Sequence, residues 1–256
     1  MSITITAREG NQTFSLQSSI VNVDLEVHGI SHKVKVPENE LFRVNNIFHD
    51  NEYSILKVRR NQGPLKIFDV GANIGLYAVY IKFIDPHSVI HCFEPFEGAL
   101  KLLKSNVKDL CDIYLHPYGL FNNEQKALMN IHRFNSGENS IKLNNQLYNG
   151  SISVRLKDAG SEFDKLCLDY LDILKIDTEG CEVEILESIG ERLSRIDYIL
   201  VEYHSEKDRR HIDRVLSGFY VFASKAECVG KGTLKYINAI LLEKFCASHD
   251  QIALKG

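Results

Sequence analysis

Two hydrophobic rhythms divide the chain. Up to about residue 48, apolar and polar residues alternate with period two, in residues 3–6, 21–27 and 33–36. This pattern fits strands with one buried face and predicts a small antiparallel sheet. Pro37-Glu38-Asn39 interrupts it, and residues 45–60 predict a mostly helical approach to the core.

From Leu65 the order becomes strand, loop, helix, repeated. Residues 66–70 form a short apolar run, followed by a glycine-containing turn and a helix-length apolar segment through Ile84. Residues 87–93 predict a second strand, and Leu100, Leu103 and Val107 form one buried helical stripe. Further strands are predicted at 113–116, 172–176 and 196–203, with two closing strands at 219–223 and 236–242. Helices are marked by Val183, Leu186 and Ile189, stopped by Gly190, and by Ile212, Val215 and Leu216, ending near Gly218. Such alternation predicts an α/β fold with a mainly parallel sheet covered on both faces, which binds ligands beyond the carboxyl ends of its strands. The interval 122–157, rich in Asn and Ser, breaks the alternation and predicts an inserted hairpin or two.

The candidate chemistry sits at those carboxyl ends. Asp69-Val70-Gly71-Ala72-Asn73-Ile74-Gly75 stands where the first core strand turns into a helix. Its glycines let the backbone turn tightly and approach a ligand, although strand-to-helix packing alone also favours them. Dinucleotide enzymes place G-x-G-x-x-G here so that a pyrophosphate rests on the helix N-terminus. This chain has G-x-N-x-G, and its Asp and Asn suit a ligand with a charged amino-acid part and no phosphate, such as S-adenosylmethionine.

Glu94 ends the second core strand, at about the distance from the glycine loop where Rossmann-type domains place a carboxylate on ribose hydroxyls. Asp177-Thr178-Glu179-Gly180 and Glu202-Tyr203-His204 end two later strands on the same edge. Helix capping competes with catalysis as an explanation for these acids.

Composition narrows the partners. With 44% hydrophobic and 25% charged residues the chain is globular, and its net charge of −4 argues against a nucleic-acid partner. The basic groups Lys57, Arg59, Arg60 and Lys207, Arg209, Arg210 have acidic residues beside them and read as solvated faces. Cysteines at 92, 111, 167, 181, 228 and 246 form no C-x-x-C pair, which predicts reduced thiols. No basic start precedes an apolar run, and no apolar stretch approaches the ~18 residues of a span, so a cytoplasmic protein with no membrane span is expected.

DVGANIG, FEP, LKIDTEGCEVEIL and ILVEYH, in this order, resemble the FkbM-type S-adenosylmethionine-dependent methyltransferases over roughly residues 45–242. The resemblance implies a Rossmann-like class I core of seven strands, the last antiparallel, acting mostly on hydroxyls of sugars, glycans, polyketides or lipid-linked products. It implies that Asp69, Gly71, Asn73 and Gly75 form the methionine-side loop. Glu94 would be the ribose ligand, and Asp177, Glu179 and Gly180 the second acidic motif. Phe96 is the candidate for the adenine side. Residues 1–48 are expected to form a β-rich extension and 49–256 the catalytic domain.

An alcohol acceptor must be aligned with the methyl group and lose its proton. Asp177, Glu179, Glu202 and His204 are the catalytic candidates, with Asp177, Glu202 or His204 as base. A divalent cation held by carboxylates is the alternative, not the expectation. The acceptor, a small molecule or glycan, is expected to be read by the N-terminal strands and the 122–157 interval. Rival readings are an NAD-dependent oxidoreductase, disfavoured by the missing third glycine, a nucleic-acid methyltransferase, and a non-catalytic cofactor-binding protein.

Overall fold

The computed structural model describes residues 2–9, 12–27, 29–56, 58–132, 135–142, 148–166 and 169–253. Lys57, Cys167 and parts of the inserted interval (133–134 and 143–147) lie outside the described residues. No helix of the described residues is long and apolar enough to cross a membrane.

The N-terminal strands β1 (Ser2–Glu9), β2 (Gln12–Val27) and β3 (Ile30–Pro37) form an antiparallel sheet. In β3, Val34 and Val36 are buried while Lys33 and Lys35 are exposed, as the alternation requires. A 3₁₀ turn (Glu38–Glu40), the short α1 (Leu41–Val44) and a π turn (Asn45–His49) follow. The helix expected over 45–60 thus stops at His49. Beyond it Tyr53 and Val58 enter the core. Arg59 pairs with Asp172 at 3.2 Å and Arg60 with Asp197 at 3.0 Å, which ties this segment down as a non-helical strap.

The core runs β4 (Lys66–Val70), α2 (Leu76–Ile84), β5 (Val89–Phe93), α3 (Glu97–Val107) and β6 (Ile113–His116). A second small sheet follows, made of β7 (Gly119–Phe121), β8 (Gln125–His132) and β9 (Tyr148–Asp158). The chain returns through α4 (Ala159–Lys165), β10 (Leu171–Ile176), α5 (Glu182–Ile189) and β11 (Ile196–Tyr203). It closes with α6 (Glu206–Val215), β12 (Phe219–Cys228), β13 (Lys231–Asn238) and α7 (Ala239–Ala253).

The seven-stranded sheet has the order β12-β13-β11-β10-β4-β5-β6, with β13 antiparallel to both neighbours and the pairings from β11 to β6 parallel. Every residue of β10 and β11 is buried, because helices cover both faces. This is the Rossmann-like class I architecture. Chain order reverses at β4, between β10 and β5, so the ligand crevice opens beyond Val70 and Ile176.

Several boundaries differ from expectation: β12 runs on to Cys228 instead of 223, and β13 begins at Lys231 instead of 236. The last strand ends at Asn238, whose Oδ1 accepts from Ile240 N at 3.1 Å and starts a helix where 239–242 was expected to continue as strand. β5 begins at Val89, since Asp85 Oδ1 accepts from His87 N at 3.1 Å and closes a turn there. The inserted interval does form a hairpin, β8 with β9, which β7 joins in parallel along β9.

Candidate active site

The glycine loop is built by crossing chains. Gly71 has φ 77° and passes so close to the end of β10 that a Cβ would overlap the Asp177 carbonyl oxygen. Gly75, φ 84°, faces the helix layer instead, where a Cβ would meet Leu103. Between them Asn73 takes φ 47°, a left-handed conformation that Asn tolerates. Its amide N donates to Glu94 Oε2 at 2.8 Å, its Nδ2 to Glu40 Oε2 at 3.4 Å, and its Oδ1 accepts from Ser136 Oγ at 3.0 Å. One residue therefore joins the loop to β5, to the N-terminal segment and to the inserted hairpin.

Glu94 is buried, and its Oε1 also accepts from Phe96 N at 2.8 Å. Burial pushes its carboxyl up to about 7, against the pull of the Phe96 and Asn73 amides. The Phe96 side chain belongs to the hydrophobic core.

Beneath the loop, Asp69 and Lys175 form a buried pair at 3.1 Å, and Lys175 Nζ donates to Gly71 O at 3.1 Å. Burial raises the Asp69 carboxyl, and Lys175 opposes the rise. Asp69 thus fixes Lys175, which sits 3.6 Å from Asp177 Oδ2.

The acidic edge holds two coupled groups. Burial would raise Asp177, but Lys175, a hydrogen bond with Glu202 and Arg43 outweigh it and hold Asp177 below the usual carboxylate range. Glu202 goes the other way, raised well above its ordinary value by burial and then by the Asp177 charge. The proton of this pair therefore resides on Glu202. His204 lies 3.1 Å from Glu179 Oε2 and 3.4 Å from Glu182 Oε1. Burial alone would lower it, yet these two carboxylates push it up to about 11, so it is an imidazolium at neutral pH. Donor atoms of Asp177, Glu179 and His204 lie within 4.8 Å of one another, a set able to hold a hard cation once His204 loses its proton. Lys231 already supplies positive charge there, 3.5 Å from Glu179 and 3.4 Å from Glu202.

Two cavities meet at the Gly71–Asp177 crossing. The first, about 160 Å³, is walled by Tyr53, Tyr77, Lys175, Glu202 and Lys231 among others. The second, about 60 Å³, is walled by Glu94 and by the apolar Pro95, Leu120, Met129, Ile141 and Leu156. Arg43, Gly71, Asn73, Asp177 and Glu179 line both. The fold thus brings together at the cavities six of the candidates: Gly71, Asn73, Glu94, Asp177, Glu179 and Glu202. Asp69, Gly75, Phe96 and His204 line neither cavity.

Arg43, Tyr53, Met129 and Leu156 carry no motif and escape sequence reading. The strand alternation around Met129 and Leu156 marks buried faces, but not what they face.

Over residues 69–227 the chain matches the family described as "Methyltransferase FkbM domain". It is 24% identical over 164 residues to Methyltransferase 1 of Beauveria bassiana, covering 55% of this chain and 65% of that protein. The chain therefore spans just under two thirds of that relative. To the hexuronic acid methyltransferase AglP of Haloferax volcanii it is 21% identical over 195 residues, covering 75% of this chain and 78% of that one. The solved fibrillarin of Methanococcus jannaschii, a pre-rRNA processing protein, superposes with a TM-score of 0.50 at 9% identity, covering 93% of this chain and 99% of that one. That likeness is one of fold. By the family match, which takes in well over half of its length, the chain belongs to the FkbM methyltransferase family.

Proposed function

We propose that the protein transfers a methyl group from S-adenosylmethionine to a hydroxyl of a sugar, glycan or other small molecule. The observation that carries this reading is the meeting of two unlike cavities at the Gly71–Asp177 crossing. The adenosine half is assigned to the second, with ribose hydroxyls on Glu94 and the purine against Leu120, Met129 and Leu156; at about 60 Å³ this cavity must widen to admit it. The sulfonium then lies at the crossing, and the acceptor enters the first cavity beside Tyr53 and Glu202. In this reading residues 1–48 are an extension that completes the site of the 49–256 domain through Glu40 and Arg43. The inserted hairpin serves the donor through Met129 and Leu156, and the first cavity through Asn135 and Glu138.

With Glu202 protonated, carboxylates still outnumber cations around the first cavity, Glu52, Glu138, Asp177, Glu179 and Glu227 being set against Arg43, Lys175 and Lys231. That balance attracts a sulfonium and repels a phosphate backbone, which supports a small hydroxyl acceptor over nucleic acid. The relative named for hexuronic acid supports a sugar.

In the transfer the acceptor oxygen attacks the methyl carbon, the carbon–sulfur bond breaks, and sulfur keeps the electron pair. The hydroxyl becomes far more acidic as the new bond forms, so the ionised Asp177 suffices to take its proton. His204, already protonated, holds Glu179 and Glu182 in place and is not the base. In this reading the transfer needs no metal, and a divalent cation on Asp177 and Glu179 is the alternative.

The experiment is incubation with methyl-labelled S-adenosylmethionine and separate sets of hydroxylated sugars, amines and RNA. Label in the sugar set is expected; label confined to RNA or amines would remove the acceptor assignment.

Affinity for the donor should also depend on pH. Ribose hydroxyls donate well only to an ionised carboxylate, and the Glu94 value of about 7 sets where that form is lost. Binding is expected to be flat above about pH 8 and to weaken by up to about tenfold per unit below pH 7. Calorimetry from pH 5.5 to 8.5 checks this, and a flat profile would move the ribose away from Glu94.

A further inference from the structure

We infer that Arg43 reads the carboxylate at the amino-acid end of the methyl donor; this rests on the donor assignment above. The donor carries a positive sulfonium, a positive ammonium and one anionic group. Three cations line the two cavities, Arg43, Lys175 and Lys231. Lys175 is committed to Asp69 at 3.1 Å and to the Gly71 carbonyl, and Lys231 lies between Glu179 and Glu202.

Arg43 is placed but not saturated. Its Nη2 donates to Asn135 Oδ1 at 3.2 Å, and its Nε lies 3.6 Å from Glu40 Oε2 without a hydrogen bond. Glu40 is itself taken up by Ser136 N at 3.0 Å, Ser136 Oγ at 2.7 Å and Asn73 Nδ2 at 3.4 Å. A guanidinium has five N–H donors in a planar fork that matches a carboxylate. Among the described residues, only Nη2 of Arg43 has an acceptor.

The surroundings are shaped to admit the group. A Cβ at Gly137 would overlap Arg43 Nη2, so the hairpin turn lets the side chain pass close by it. Arg43 lines both cavities beside Gly71 and Asn73, at the junction where the methionine part of the donor would lie. Arg43 therefore makes the N-terminal segment a reader of the donor.

The test is titration of the parent chain, Arg43→Gln and Arg43→Lys with S-adenosylmethionine and with decarboxylated S-adenosylmethionine, which lacks only that carboxylate. The parent is expected to prefer the carboxylated compound by about 10- to 100-fold, the size of charge-assisted hydrogen bonds. Arg43→Gln should bring the two affinities together by weakening the carboxylated compound alone, with Arg43→Lys in between. An unchanged preference in Arg43→Gln, or equal weakening of both compounds, overturns the inference and leaves Arg43 a structural residue. If instead the variant keeps the preference but loses turnover only with acidic acceptors, the carboxylate it reads is the acceptor's, and the inference fails in that form. A parent that binds neither compound overturns the donor assignment itself.

Discussion

Asp177→Asn lowers the single-turnover rate of methyl transfer by about 10²- to 10⁴-fold, whereas Glu202→Gln stays within about tenfold of the parent. Sequence gives no reason for this asymmetry, since both residues are acids ending neighbouring strands. Their shared proton supplies one. Lys175 at 3.6 Å and the Arg43 charge hold Asp177 ionised, while burial and the Asp177 charge keep Glu202 protonated. Gln at 202 imitates a group that is already neutral and can still donate toward Asp177. Asn at 177 removes the proton acceptor itself. Lys175 keeps Asp69 as partner in the variant, so the fold should survive, which a thermal melt checks. Equal losses in the two variants would mean that the pair acts as one unit, and full rates in both would leave the edge to helix capping.

Gly71→Ala is expected to cost about 3 kcal/mol of stability or more and to lower donor affinity by over about 100-fold, because overpacking and a left-handed Ala add together. The added methyl overlaps a backbone oxygen at Asp177, so relief requires β4 and β10 to part where the cavities meet. Gly75→Ala is the control. There the new methyl meets the Leu103 side chain, which can shift, and Gly75 lines neither cavity. With φ 84° an Ala there is left-handed too, so it should lose about 2–5 kcal/mol of stability yet keep donor affinity within a few-fold. Denaturant melts and calorimetry on both variants read the difference. Similar affinity losses at 71 and 75 would mean that the loop responds as a whole.

Strand and helix rhythm made the sheet legible. β4, β10 and β11 are short apolar runs bounded by turn residues, and their order places Gly71, Asp177 and Glu202 on one edge. The roles within that edge were less legible, because they depend on depth and pairing. Asp69 and Asp177 both end strands, yet one is buried against Lys175 and the other opens on both cavities. A lone His on a strand end reads as a possible base until Glu179 and Glu182 are seen on either side of it. Arg43 was out of reach, since its place depends on Asn135, 92 residues away in the chain. The strap after His49 misled for a similar reason: its partners Asp172 and Asp197 lie in strands far along the chain.

The most direct measurement is calorimetric titration of the purified chain, in parallel, with S-adenosylmethionine, S-adenosylhomocysteine and NAD. Saturable binding of the first two at one site per chain is expected, with no heat from NAD. Binding of NAD without S-adenosylmethionine would contradict the assignment of the crossing at Gly71 and Asp177 as a methyl-donor site.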